Sequence, residues 1–196
     1  MPAQPLNPLG SGPPSILFVG GFGHPPNVDA ALRLARVVLP IIRHERPDVR
    51  LELVGSSPPP EIRALASDWV HVAADVPSVT PYLDQASVVV APLTIGGGLR
   101  VKVLEAMAAG KAVVGSSRAA DGLSARPGRE IIVADGEAET ARAVLALLND
   151  AATREAVAQA ARAWAERELA WSTMAGRYGD LYVRLERCAR AASVSR

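Results

Sequence analysis

Short apolar runs alternating with helix-patterned stretches predict an α/β fold: a Rossmann-like, doubly wound parallel sheet of about six strands, with helices on both faces and a helical carboxyl-terminal part. Three observations carry this. Runs such as 16–19 and 88–90 are apolar throughout, as strands buried on both faces are. The segments between runs are long enough for the right-handed crossovers that parallel strands need. The composition, 49% hydrophobic and 21% charged over 196 residues, suits one globular domain that buries a core without staples.

The elements follow in chain order. Residues 1–14 hold five prolines and two glycines and no apolar period, so they read as a leader or linker. The domain proper is predicted at 15–190, with a tail at 191–196. The first strand, 16–20, ends in glycine. Asn27 is the expected N-cap of a helix with Ala30, Ala31, Leu34, Val37, Val38 and Ile41 at helical spacing. A second strand is expected at 49–54, a short helix at 61–67 and a third strand at 70–73. Residues 77–86 look helical, and 87–92 form the most buried-looking strand. Leu99, Val103 and Met107 stack on a helix over 99–109, with Gly110 as its left-handed cap. Strands at 111–116 and 130–133 complete the sheet. Beyond Gly136 the pattern is helical, at 137–148, 152–168 and 171–190.

Charge and composition exclude several function classes. Twenty-one Lys and Arg against 20 Asp and Glu leave a formal charge of +1, so no global field recruits nucleic acid or anionic lipid. The single cysteine, Cys188, cannot close an internal disulfide, which points to a reducing compartment. The opening residues lack a signal-peptide pattern, and no apolar run reaches spanning length. The expected location is the cytoplasm, including the inner face of its membrane. No His, Cys, Asp or Glu cluster has metal-ligand spacing, so no metal is expected.

In a doubly wound sheet ligands sit outside the carboxyl ends of the strands, at the switch point. The most informative loop there runs from Thr94 through Gly96, Gly97, Gly98, Leu99, Arg100 and Lys102. Three glycines let the backbone approach a ligand and aim N–H groups into one concavity. The helix behind adds its positive end. Arg100 and Lys102 oppose that dipole unless a phosphate lies between them. The plain alternative is a turn with solvated basic side chains, disfavoured because three glycines in a row are costly to order. Lys102 and Lys111 are the two lysines among 19 arginines. Glu105 either accepts two ribose hydroxyls or pairs with Lys102 on the surface; spacing alone leaves these even. The first loop, with Gly20, Gly21 and His24, does not complete a dinucleotide fingerprint, because Pro26 stands where the third glycine belongs. His24 either touches a ligand or caps the next helix.

The stretch GGGLRVKVLEAMAAGKAVV at 96–114 resembles the donor-site signature of the retaining family 4 glycosyltransferases, which have the two-domain GT-B fold. FVGGFGHPPNVDA at 18–30 and the segment from Asp75 to Tyr82 are similar to the carboxyl-terminal, nucleotide-sugar-binding half of those enzymes, as are Gly122-Leu123 and Gly128 to Glu130. The resemblance spans about Ser15 to Tyr182 and makes the expected fold one half of GT-B. It implies a nucleoside diphosphate sugar as donor, held without metal or other cofactor. Glu105 would hold the ribose, Gly97, Gly98 and the amides to Leu99 and Arg100 would lie beside sugar and diphosphate, and Arg100 and Lys102 would neutralise the diphosphate. Gly20 and Gly21 would flank the phosphates.

The sequence departs from the family in three ways. Gly97 replaces the first glutamate of the family's pair, the usual reader of the donor sugar. The basic residues common in the first loop are missing from 21–27. No acceptor-binding half precedes residue 15, so the expected partner is an acceptor domain or subunit, in cis or in trans. Self-association through a face with Trp164, Trp171 and Tyr178 as candidates is also expected, since an isolated half bares an apolar face, with a core role as the preferred alternative for Trp164 and Trp171. Two other readings stand beside this one. A non-catalytic module on the same fold is consistent with Gly97, and a sugar-nucleotide epimerase fits the first loop and Glu105 less well.

Overall fold

The computed structural model of the chain describes residues 4–96 and 100–194. Among these, six parallel strands form one sheet in the order β3-β2-β1-β4-β5-β6. The strands are β1 Ser15–Val19, β2 Arg50–Gly55, β3 Val70–Ala74, β4 Val88–Ala91, β5 Val113–Gly115 and β6 Ile132–Val133. The order reverses between β1 and β4, where Ile16 pairs with Val88 and Leu17 with Val89. This is the doubly wound, Rossmann-like sheet the apolar runs predict. Right-handed crossovers put the helices that follow β1 and β2 on one face and those that follow β3, β4 and β5 on the other.

The helices are α1 Pro25–Arg33, α2 Leu39–Glu45, α3 Pro60–Arg63, α4 Thr80–Gln85, α5 Val101–Ala108, α6 Ser117–Ala120, α7 Glu137–Asn149, α8 Ala151–Leu169 and α9 Trp171–Val194. Between α1 and α2 lies a π-helical segment, Leu34–Val38, across which Leu39 N–H donates to the Leu34 carbonyl, five residues back. Pro40 supplies no amide for the next bond in the ladder, which accounts for a widened turn just before it. The core is continuous from Ile16, Leu17 and Phe18 through Leu51, Leu53 and Val88–Val90 to Met107, Val113, Val144 and Trp164.

Several boundaries differ from expectation, each for a local reason. Asn27 is not the cap of α1. Pro25 opens that helix with His24 at the cap position, where the side chain makes no capping bond, because proline is pre-organised for the first helical residue. The expected strand at 130–133 shrinks to Ile132–Val133, since the Glu130 carboxylate bonds the Arg126 amide and folds 126–130 into a turn. The short helix α6 follows Ser116, whose hydroxyl caps it by accepting from Ala119 N–H at 3.1 Å.

Residues 5–11, within the stretch set apart as leader or linker, run along the outer ends of α4, α5 and α8. Leu6 N–H donates to the Ala109 carbonyl at 2.9 Å, Asn7 N–H to the Asp84 carboxylate at 3.0 Å and Ser11 N–H to the Gln85 carbonyl at 3.2 Å. Lys111 is wholly buried beneath this strap and donates to the Asn7 carbonyl. Burial lowers its pKa from 10.5 to about 8. Gly110 turns the chain between α5 and Lys111 at φ 76°, and a Cβ there would stand 3.1 Å from Pro5 Cβ. Arginines of α8 close two helix ends: Arg162 donates to the Ala108 carbonyl of α5, and Arg154 to the Leu147 carbonyl of α7 at 2.7 Å. Such contacts satisfy carbonyls that a helix end leaves open.

Candidate nucleotide site

The loops after β1 and β4 meet at the switch point. At the end of β1 the chain passes so close to β2 that a Cβ on Gly55 would lie 1.7 Å from the Gly20 carbonyl oxygen. Gly20 N–H donates to the Val54 carbonyl and Phe22 N–H to that of Ser56, both at 2.9 Å. Phe22 is buried and its ring centroid is 6.3 Å from that of Phe18. The first loop is therefore held by its backbone, with Gly21 and His24 exposed above it.

Lys102 ties this loop to α5. Its ammonium lies 4.4 Å from the centre of the Phe18 ring and donates to Asn27 Oδ1 at 2.5 Å. Asn27 Nδ2 in turn donates to the Gly21 carbonyl at 2.8 Å. Burial, and then the charge of Arg100, lower the Lys102 pKa from 10.5 to about 8. Among the described residues no carboxylate pairs with it. A half-buried cation facing only a neutral amide and a ring, beside another cation, is an unfinished arrangement that an anion would complete.

Arg100 holds the cap position of α5, and the helix has no side-chain cap. Its guanidinium is buried and engaged: Nε donates to the Arg118 carbonyl at 3.1 Å and Nη2 to the Gly96 carbonyl at 2.9 Å. It shapes the loop after β4 and fixes the start of α5 against α6. Together His24, Asn27, Gly96, Arg100 and Lys102 line a hollow of about 220 Å³ at the start of α5. Gly97, Gly98 and Leu99 lie outside the described residues.

Glu105 stands apart from this hollow. It is exposed and lines a largely apolar groove of about 510 Å³ between α4 and α5, with Val79, Thr80, Leu83 and Leu104. Val101 borders both spaces. The structure thus brings Gly20, Gly21, His24, Gly96, Arg100 and Lys102 together and sets Glu105 on the far side of Val101. The surface pair between Lys102 and Glu105 is not formed; Lys102 turns to Asn27 instead.

Two features escaped the sequence. Asn27 links both loops, yet reads in sequence as a helix cap; the Pro25-Pro26 pair, which starts the helix early, is the signal that would have moved it inside. A second hollow, of about 540 Å³, lies over the carboxyl ends of β4 to β6 and is lined by Arg33, Thr94, Ser117, Arg118, Asp121 and Asp135. Its charges are matched locally. Arg33 bonds Asp29 at 3.0 Å and Glu137 at 3.3 Å, and Ser117 Oγ bonds Asp135 at 2.5 Å.

Residues 13–150 match the sequence profile of the glycosyl transferases group 1 family. The chain belongs to that family. No curated protein matches the sequence at a significant level. Among solved structures this group 1 glycosyl transferase chain is similar to a sucrose-phosphate synthase from Thermosynechococcus elongatus, with 23% identity and a TM-score of 0.69, over 90% of this chain and 46% of that one. HepE from Anabaena, solved in complex with UDP and glucose, aligns at 14% identity and a TM-score of 0.70, over 86% of this chain and 48% of that one. The carboxyl-terminal domain of a group 1 glycosyl transferase, LpcC, from Francisella tularensis aligns at 14% identity and a TM-score of 0.66, covering 81% of this chain and 88% of that domain. These likenesses establish the fold, one half of GT-B. The group 1 chain spans about half the length of the synthase and of HepE. No described helix is long and apolar enough to cross a membrane, and no cluster of His, Cys, Asp or Glu among the described residues is arranged to hold a metal ion.

Proposed function

We propose that this chain is the donor-binding half of a retaining glycosyltransferase of family 4, that it binds a nucleoside diphosphate sugar without metal, and that it transfers the sugar only with an acceptor-binding domain or subunit. The observation that carries the reading is Lys102, a half-buried ammonium at the start of α5 that no described acid neutralises, tied through Asn27 to the loop after β1. The diphosphate lies over this cation and the amides that open α5, where helix dipole and ammonium act together. The nucleoside then crosses Val101 into the groove between α4 and α5, whose apolar wall suits a base and where Glu105 accepts the ribose hydroxyls.

Two roles change from those the family pattern implies. Arg100 acts on the ligand by field and by shaping the loop, since its guanidinium is spent on Gly96 and Arg118. Lys102 carries the direct contact. The HepE complex with UDP and glucose supports trying uridine nucleotides first.

Isothermal calorimetry with UDP, GDP and their hexose conjugates tests the reading. Binding by one nucleotide series is expected, and Glu105→Ala should weaken it by about 1–3 kcal/mol, the cost of losing a charged acceptor. The absence of binding by every member at millimolar concentration would overturn it. Gly97 favours a second reading, a nucleotide-binding module without transferase activity. Adding the acceptor half of a group 1 enzyme and assaying sugar transfer separates the two.

A further inference from the structure

Residues 5–11 are held as a built element, more tightly than a linker requires. Asn7 is the hub. Its N–H donates to the Asp84 carboxylate at 3.0 Å and its Nδ2 to the Gly10 carbonyl at 2.9 Å. Its Oδ1 accepts from Leu9 N–H at 3.0 Å, and its carbonyl from Gly10 N–H at 3.2 Å. From below, the buried Lys111 ammonium donates to that same carbonyl, and to the Asp84 carbonyl at 3.5 Å. Gly10, at φ 77°, lets the strap lie on the end of α4, where a Cβ would stand 2.5 Å from the Gln85 carbonyl oxygen. Taking an ammonium out of water to hold two neutral carbonyls costs stability. The fold gives up that stability to fix the strap in one place.

What the strap fixes is Leu6. Its N–H donates to the Ala109 carbonyl at 2.9 Å, and its half-buried side chain lines the groove between α4 and α5 in which Leu83, Leu104 and Glu105 also stand. Leu169, at the end of α8, joins it there. Two walls of the groove thus come from crossover helices of the sheet, and the rest from segments outside those crossovers. Leu6 also lines a smaller hollow, of about 240 Å³, against α8. It therefore stands as a partition, and shortening it opens the groove on that side.

We infer that Leu6 is a contact of the donor's nucleobase, and that the strap carrying it is part of the nucleotide site. The inference rests on the placement of the nucleoside given under the proposed function. A base presents apolar faces, and closing a groove beside it with an aliphatic side chain removes both from water. Glu105 holds the ribose and Leu6 covers the base, while Asn7 acts through Leu6 as a positioning residue. Lys102 and the start of α5 lie in the other hollow, across Val101, so the phosphates do not touch the strap.

Calorimetry on the full chain with UDP, GDP and inorganic pyrophosphate tests this. For the nucleotide that binds, Leu6→Ala should raise Kd roughly 3- to 10-fold, as the loss of part of an apolar contact does. Pyrophosphate affinity should stay unchanged, and Leu6→Met should restore nucleotide affinity. Asn7→Ala should weaken the nucleotide and spare pyrophosphate, and add nothing to Leu6→Ala in the double variant. In the wild-type chain the nucleotide should slow amide hydrogen exchange over residues 4–14, and pyrophosphate should not. A nucleotide Kd that Leu6→Ala leaves unchanged, or exchange that the nucleotide leaves unchanged, overturns the inference and leaves the proposed function standing. Equal losses for nucleotide and pyrophosphate overturn it too, since damage to the fold acts on both. A wild-type chain that binds no nucleotide overturns the inference and the proposed function together.

Discussion

Lys102 concentrates the argument at the scale of single residues. In the free protein its pKa sits near 8, held down by burial and by Arg100. A bound diphosphate stabilises the ammonium and raises that value, so binding above pH 8 requires a proton to be taken up. Affinity for a nucleoside diphosphate should therefore be flat below pH 8 and fall by up to about tenfold per unit above it. Lys102→Met should lower affinity roughly 10- to 100-fold, as a charge-assisted bond would, and abolish the fall above pH 8. Calorimetry from pH 7 to pH 10 on both proteins measures both effects; a wild-type profile without the fall removes Lys102 from the site. The glycine run, two cations and one acid are legible in sequence because spacing alone brings them to one helix start. What spacing does not give is which way each side chain turns. Arg100 is drawn inward because two open carbonyls, of Gly96 and Arg118, lie within its reach. Glu105, three residues beyond Lys102, lies only about 60° from it around the helix, yet it lines the groove beside α4 while Lys102 reaches back to Asn27.

Among elements, α5 depends on what holds its far end. Its carboxyl terminus is closed by Gly110, by Arg162 and by the strap at 5–11, an arrangement invisible to periodicity because proline-rich chain has none. Gly110→Ala forces a side chain into left-handed backbone and against Pro5, and should cost about 1–2 kcal/mol or more. Gly122→Ala also puts a side chain at positive φ, 78°, with nothing within 4 Å of the new carbon. The difference between the two variants in urea-midpoint shift isolates the contact with the strap. Equal shifts would mean the strap contributes nothing there. Lys111 adds a pH signature. Its folded pKa of about 8 lies below the unfolded 10.5, so between those values the native state holds fewer protons than the unfolded one. Stability should thus rise with pH across that window and be lowest below pH 8. Lys102 behaves alike, and Lys111→Met should remove part of the rise, as measured by urea unfolding at pH 7.5 and pH 10.

For the whole molecule, the doubly wound parallel class is readable because parallel strands covered on both faces must be apolar throughout, and handedness then leaves few ways to connect them. Short edge elements were less legible. β6 keeps two residues because Glu130 is claimed by Arg126, an ion pair that no propensity anticipates. The fold is one half of the GT-B architecture, and the proposed affinity for a donor nucleotide is the property to test on it. Ligand that binds the native state alone adds RT ln(1 + [L]/Kd) to stability, about 2.7 kcal/mol at a hundredfold excess over Kd. For a domain of this size that corresponds to a rise in Tm of roughly 5–10 °C. The nucleoside diphosphate that binds should produce this shift, Glu105→Ala and Lys102→Met should each reduce it at the same ligand concentration, and inorganic pyrophosphate should retain a part that depends on Lys102 and not on Glu105. A pyrophosphate shift equally sensitive to Glu105→Ala would place that carboxylate at the phosphates and refute the division of the site across Val101.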